Sequence, residues 1–241
     1  VKYLDSRRIG WDTETTSTNP VEARIITAAI VARGGDRPER VQTWLINPGV
    51  PIPPETTAIH GIDDQIAQER GQDPKTELDV IASTLVNCLR YGMPTVAFNT
   101  AYDWSVLHYE LLRHGLPTMA DRLGGQTPYP LLDALVLDKQ ADKYRKGSRK
   151  LQAVAAHYGV HLENWHNAEA DAIAALGIAD ALYERNPRLD GYDPQRLYLA
   201  QQAWREEQQK GLQAHLRKTS PSAYCAPEWP LVLAQQDGST S

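Results

Sequence analysis

Residues 24–31, Arg-Ile-Ile-Thr-Ala-Ala-Ile-Val, leave few folds open. The run is β-branched and nearly continuously apolar, which suits a buried strand. Strand-like runs flank it. Arg8–Asp12 comes first, before a turn at Ser17-Thr18-Asn19-Pro20. Val41–Ile46 follows the hairpin signal Gly34-Gly35-Asp36.

Beyond residue 50 the pattern changes. The Pro-rich stretch 51–73 predicts a structured loop with short helices. Leu78, Ile81, Leu85 and Leu89 recur at helical spacing behind Pro74, and Gly92 ends that helix. Thr95–Asn99 reads as a short buried strand, and Tyr102–His114 as a helix stopped at Gly115. Leu131–Leu137 is apolar, strand or helix. Ser148 can cap a helix reaching His157, and Ala168–Glu184 is an Ala-rich helix closed by Asn186-Pro187.

Three strands followed by alternating strand and helix predict an α/β fold, a mixed central sheet with helices packed on it. The Pro187–Pro194 stretch is the expected boundary between a domain at 1–188 and an extension at 189–241. That extension carries a long charged helix, Leu197–Lys218, and an apolar segment, Trp229–Leu233. Trp204, Leu212, Leu216 and Trp229 call for burial, so packing on the core is the default expectation for the extension.

A formal net charge of −5 argues against coating DNA by bulk electrostatics, but not against gripping one strand end. Cys88 and Cys225 are too few and too far apart for a zinc site or a disulfide framework. No apolar run is long enough to span a bilayer. The polar start, Val1-Lys2-Tyr3-Leu4-Asp5, lacks a signal-peptide apolar region, and a cytoplasmic protein with no membrane partner is expected. The lack of an initial Met points to a trimmed or engineered start.

Chemistry concentrates at three places. Residues two apart on a strand share a face, so Asp12 and Glu14 point the same way. Carboxylates that close repel, and each raises the other's pKa unless a cation lies between them. Hard oxygen ligands favour Mg²⁺ or Mn²⁺. The second place is Asn99-Thr100-Ala101-Tyr102-Asp103, with Asp103 in the first turn of a helix, where the helix dipole favours an acid in any case. The third is His166 with Asp171. On one helix these two would diverge by about 140°. They converge only if His166 sits on the loop entering the helix and Asp171 on the helix itself. Each has a plainer reading: a solvated strand end, a dipole-favoured acid, an exposed or capping histidine.

Together, in this order, these elements resemble the DEDD (DnaQ-like) exonuclease superfamily in its His-containing DEDDh branch, which includes the proofreading subunit of bacterial DNA polymerase III. Asp12, Glu14, Thr15 and Thr16 match its first motif; Asn99 and Asp103 match its second; His166 and Asp171 match its third. His60-Gly61-Ile62 matches a further family feature, and the likeness covers roughly residues 7–186. The other branch has Tyr four residues before the last Asp; here that position is Asn167.

The resemblance implies a ribonuclease H-like fold and a metal-dependent 3′–5′ exonuclease. Such an enzyme releases nucleoside 5′-monophosphates from single-stranded 3′ ends, DNA favoured. Alternatives are an RNA 3′-end exoribonuclease or a non-catalytic relative that binds nucleic acid or protein. Asp12, Glu14, Asp103 and Asp171 would hold two ions, Mg²⁺ or Mn²⁺, with Asp12 bridging both. His166 would take the proton of the attacking water, and its unperturbed pKa of about 6.5 suits that task.

Thr15, Thr16, His60 and Asn99 are candidate substrate contacts, although the threonines also suit a turn and Asn99 a helix cap. Phe98 is expected in the core. Lys146, Arg149 and Lys150 can hold a strand backbone or form a solvated face, and Asp133 and Asp138 are expected to be structural. Proofreading in trans would need a docking element. No clamp-binding peptide of the Gln-x-x-Leu-aromatic type is evident, which leaves the extension as the candidate polymerase or homodimer contact.

Overall fold

A computed structural model describes residues 1–162 and 165–234. Strands β1 (Arg8–Thr15), β2 (Ile25–Arg33) and β3 (Arg40–Leu45) form an antiparallel meander. Strands β4 (Thr95–Ala97) and β5 (Leu131–Asp133) add parallel to β1, giving the order β3-β2-β1-β4-β5. The helices are α1 (Pro54–His60), α2 (Asp64–Arg70), α3 (Pro74–Arg90), α4 (Thr100–Arg113) and α5 (Met119–Arg122). After them come α6 (Ala134–Ala141), α7 (Leu151–Tyr158), α8 (Ala168–Arg185) and α9 (Pro194–Leu216).

The alternation of side chains along β2 sorts the two cores. Ala28 and Ile30 join Ile9, Trp11 and the leucines of α3 and α4 on one face. Ala29 and Val31 join Val96, Leu132 and the small-residue face of α8 on the other. Both faces of the sheet are covered, which is why the β2 sequence is apolar at nearly every position.

Helix α8 lies unusually close to the sheet. A Cβ on Gly10 of β1 would meet the Ala172 carbonyl oxygen at 2.5 Å and Leu176 Cγ at 2.6 Å. Only glycine permits that approach, and with it the placement of residue 171 beside β1.

Several local expectations shift. Strand β1 continues to Thr15, past the expected end at Asp12. The ambiguous segment 131–137 is both structures in succession. Asp133 ends β5 and caps α6, its Oδ1 accepting from the amides of Leu135 (3.0 Å) and Val136 (3.1 Å). Ser148 does not cap a helix: α7 starts at Leu151 behind Lys150, and Ser148 Oγ accepts from the Lys150 amide instead.

The helix expected from Leu197 begins at Pro194, with Asp193 as N-cap and Pro at the first position. Its last turns run past the domain edge, leaving Leu212 (42%) and Leu216 (38%) exposed where burial was expected. Trp204 is half-buried against the second core, and Trp229 is buried in the first. Asp138 is fully buried and ion-paired with Arg145 (2.8 Å) and Arg149 (2.7 Å), so Arg149 is tied to the fold. Among the described residues no helix is long and apolar enough to cross a membrane.

Candidate active site

The site forms where β1 ends against the starts of α4 and α8. Asp12 and Glu14 come from β1, Asp103 from the first turn of α4, and Asp171 from the first turn of α8. Asn167 caps α8, its Oδ1 accepting from the amides of Glu169 (3.0 Å) and Ala170 (3.4 Å). His166 precedes that cap with a positive φ of 61°, a left-handed conformation uncommon outside glycine. His166 therefore sits on the entering loop and Asp171 on the helix. Ligand atoms of Glu14, His166 and Asp171 all lie within 4.8 Å of one another.

Asp103 is pinned to β1: its Oδ1 accepts from the Thr13 amide (3.1 Å) and the Thr13 hydroxyl (2.7 Å). Local sequence carries no sign of this link, which joins positions ninety residues apart. Asp12 lies within electrostatic reach of Asp103, Asp171 and Glu14.

The acids share an unfavourable setting. Burial, then the charges of Asp103, Asp171 and Glu14, pushes Asp12 well above the ordinary carboxylate range. Burial, Asp171 and Asp103 push Glu14 up to about 8. Burial lifts Asp103 to about 7 against the hydrogen bonds from Thr13. Burial lifts Asp171 to about 6, opposed by the His166 backbone amide. His166 is shifted down, by burial and then by the Lys150 charge, so the neutral imidazole is favoured.

Four acids whose ionisation is resisted, and a buried Asp171 Oδ1 with no hydrogen-bond partner, are what a divalent-cation site presents before its ion binds. The donors are carboxylate oxygens and one imidazole, a set that fits a divalent cation.

A pH dependence follows. Between the ordinary and the raised pKa values, the folded acids hold protons that the unfolded chain has released. Stability without metal should therefore fall as pH rises. The window runs from the ordinary glutamate pKa of 4.5 to the raised value of about 8 for Glu14. Millimolar Mg²⁺ or Mn²⁺ should raise the melting temperature most at the alkaline end. Melts in EDTA that are flat across this range, or unmoved by either ion, would contradict a preformed site.

A cleft of about 550 Å³ opens over Asp12, His166 and Asp171, with Phe98, Asn99 and Lys150 on its walls. Phe98 is thus a half-buried wall residue that also touches the second core, rather than a core residue outright. Trp165 also lines the cleft; it is 54% exposed and its ring centroid lies 4.5 Å from that of His166. No motif marks Trp165, and its one signal is an aromatic residue adjoining the histidine in an otherwise polar stretch.

The other candidate contacts are distributed around this centre. His60 ends α1, and its Nδ1 accepts from the Ile62 amide (3.2 Å), which places its proton on Nε2. Nε2 is buried without a partner, and His166 is close enough to help burial lower the His60 pKa. Thr15 Oγ1 donates to the Ser17 carbonyl (3.0 Å) and adjoins the Tyr102 hydroxyl. Thr16 Oγ1 accepts from the Arg24 amide (3.0 Å). Both threonine hydroxyls thus close the β1–β2 turn. Asn99 makes no side-chain cap on α4 and sits in the left-handed region at φ 68°.

A family model described as Exonuclease (RNase_T) matches residues 9–179. The uncharacterized exonuclease CP81 of Escherichia phage 186 is 31% identical over 187 residues, covering 75% of this chain and 90% of that protein. The PolC-type DNA polymerase III of Lacticaseibacillus paracasei is 29% identical over 182 residues, which are 75% of this chain but 12% of the polymerase. Among solved structures, E. coli exonuclease I in complex with a dA16 oligonucleotide superposes with a TM-score of 0.64 at 19% identity. That match covers 78% of this chain and 42% of that one, so the chain spans less than half of exonuclease I. The shared architecture is the ribonuclease H-like fold.

Proposed function

The chain belongs to the RNase_T exonuclease family, and from that premise we propose that it is a metal-dependent 3′–5′ exonuclease acting on single-stranded 3′ ends, with DNA preferred. The observation that carries the reading is the meeting of Glu14, His166 and Asp171 within 4.8 Å, from three separate segments, beside the buried Asp12 and Asp103. Cation binding is the chemistry that relieves the mutual repulsion of such a cluster, which supports this reading.

Asp12, Glu14, Asp103 and Asp171 would hold two divalent ions. Bound there, such ions polarise the phosphoryl oxygens and lower the pKa of the attacking water. His166, kept neutral beside Lys150, accepts the proton of that water. Asn99 offers N–H donors to the strand, whereas the His60 Nε2–H is buried within electrostatic reach of His166. Lys150 brings positive charge to the cleft wall. Thr15 and Thr16, closing the β1–β2 turn, frame the end of β1 where the terminal nucleotide would sit. Attack on the terminal phosphodiester breaks the bond to the upstream 3′-oxygen and releases a nucleoside 5′-monophosphate. The exonuclease I complex with an oligodeoxynucleotide supports DNA as the first substrate to try.

The test is a time course on matched 5′-labelled single-stranded DNA and RNA with Mg²⁺, Mn²⁺ or EDTA. The expected result is a metal-dependent ladder shortening from the 3′ end, faster on DNA. Faster loss of RNA would reverse the sugar preference, and intact polymers in every metal would leave a binding-only relative.

A further inference from the structure

The β4–α4 corner bearing Asn99 is held by residues beyond the family match, which ends at 179. Arg205 of α9 is 7% exposed, and its Nη1 donates to Asn99 Oδ1 at 3.1 Å. The Gln209 amide, oriented as its surroundings require, turns its oxygen to the same guanidinium, 2.6 Å from Nη2. The Asn99 backbone N–H donates to Asp133 Oδ1 (3.2 Å), and Trp229 Nε1 donates to Asp133 Oδ2 (3.1 Å). Gln201 Oε1 accepts from the Asp133 amide (2.8 Å). Gln201, Arg205 and Trp229 thus brace one corner of the cleft from outside the family match.

The chemistry of the Arg205 contact is directional. A guanidinium carries only donors, so the Asn99 amide must turn its oxygen toward it. The planar amide then presents Nδ2 on the other side. Its hydrogens meet no acceptor among the described residues, and Asn99 lines the cleft. A fixed pair of N–H donors suits a phosphate oxygen. With the amide free to rotate, the oxygen could face the phosphate instead, which is repulsive.

We propose that Arg205 is a positioning residue for substrate, holding the Asn99 side chain with its N–H donors toward a phosphate of the bound strand. The proposal rests on the exonuclease reading above.

The test compares wild type, Arg205→Met, Arg205→Lys, Asn99→Ala and the Arg205→Met/Asn99→Ala double variant on 5′-labelled single-stranded DNA. Arg205→Met should raise KM about tenfold, the loss of one hydrogen bond to a charged group, with kcat largely kept. Asn99→Ala should do the same. The double variant should be no worse than either single, because both act through one contact. Arg205→Lys keeps the charge and a donor, should recover part of the loss, and carries the test if the Met variant does not fold.

A second readout does not need turnover. In ¹⁵N-labelled protein, the Asn99 side-chain amide signals should shift or broaden in Arg205→Met and largely return in Arg205→Lys. Effects on KM that multiply in the double variant, or amide signals that do not move, overturn the proposal while the exonuclease reading stands. A wild type that shortens no strand overturns that reading and the proposal with it.

Discussion

Asp12→Asn should lower 3′-end cleavage by at least about 10³-fold, since under the proposed mechanism it removes one of the four acids that would hold the ions. The same substitution should make the metal-free protein more stable above pH 7. Asp12 is pushed well above the carboxylate range by burial and by three neighbouring acids, so its ionised form costs folding free energy at neutral pH. Asparagine keeps the shape and removes that charge. In EDTA at pH 8 the variant should melt higher than wild type, by about 2–4 °C for each kcal/mol of repulsion relieved. Its melting temperature should also respond less to Mg²⁺ or Mn²⁺. The combination is diagnostic. A dead variant that melts lower would make Asp12 a structural group, and a variant with wild-type turnover would remove it from the site.

Gly10→Val should be severely damaging although it replaces no candidate site residue. The new Cβ would lie 2.5 Å from a backbone oxygen of α8, a contact that side-chain rotation cannot relieve. Overpacking of this kind costs about 1–3 kcal/mol, and a backbone neighbour places this case at the upper end, about 3 kcal/mol or more. The clash is at Ala172, the residue after Asp171, so α8 can retreat only by carrying Asp171 away from Asp12 and Glu14. Well below its melting temperature the folded variant should still cleave at least about 10²-fold more slowly, because misplacement of about 1 Å costs that much. It should also lose the metal-induced rise in melting temperature. A destabilised variant with normal turnover per folded molecule would show that α8 does not place the site.

The pattern of this chain announces much of the fold because its signals are local. Continuous apolar character in residues 25–31 demands a strand covered on both faces, and two cores meet it there. Period-two spacing puts Asp12 and Glu14 on one side of β1. The divergence of positions five apart on a helix requires His166 to precede α8, and it does. Where local signals compete, the pattern falls silent or misleads. Segment 131–137 is apolar under either period, and only the Asp133 cap divides strand from helix. Leu212 and Leu216 look like core residues, yet α9 outruns the sheet that would cover them.

What the sequence determined by itself is most of the strands and long helices, the shared face of Asp12 and Glu14, and the motif residues that carry the family resemblance. Backbone preference and side-chain periodicity act over a few residues, so they are written in a few residues. Tertiary structure decided which elements meet. It set α8 against Gly10, bonded Thr13 to Asp103 across ninety residues, and brought Arg205 to Asn99 across 106. Such pairings depend on strand order and on how closely helices can approach the sheet. Those are properties of the whole packed chain, and no short stretch of it contains them.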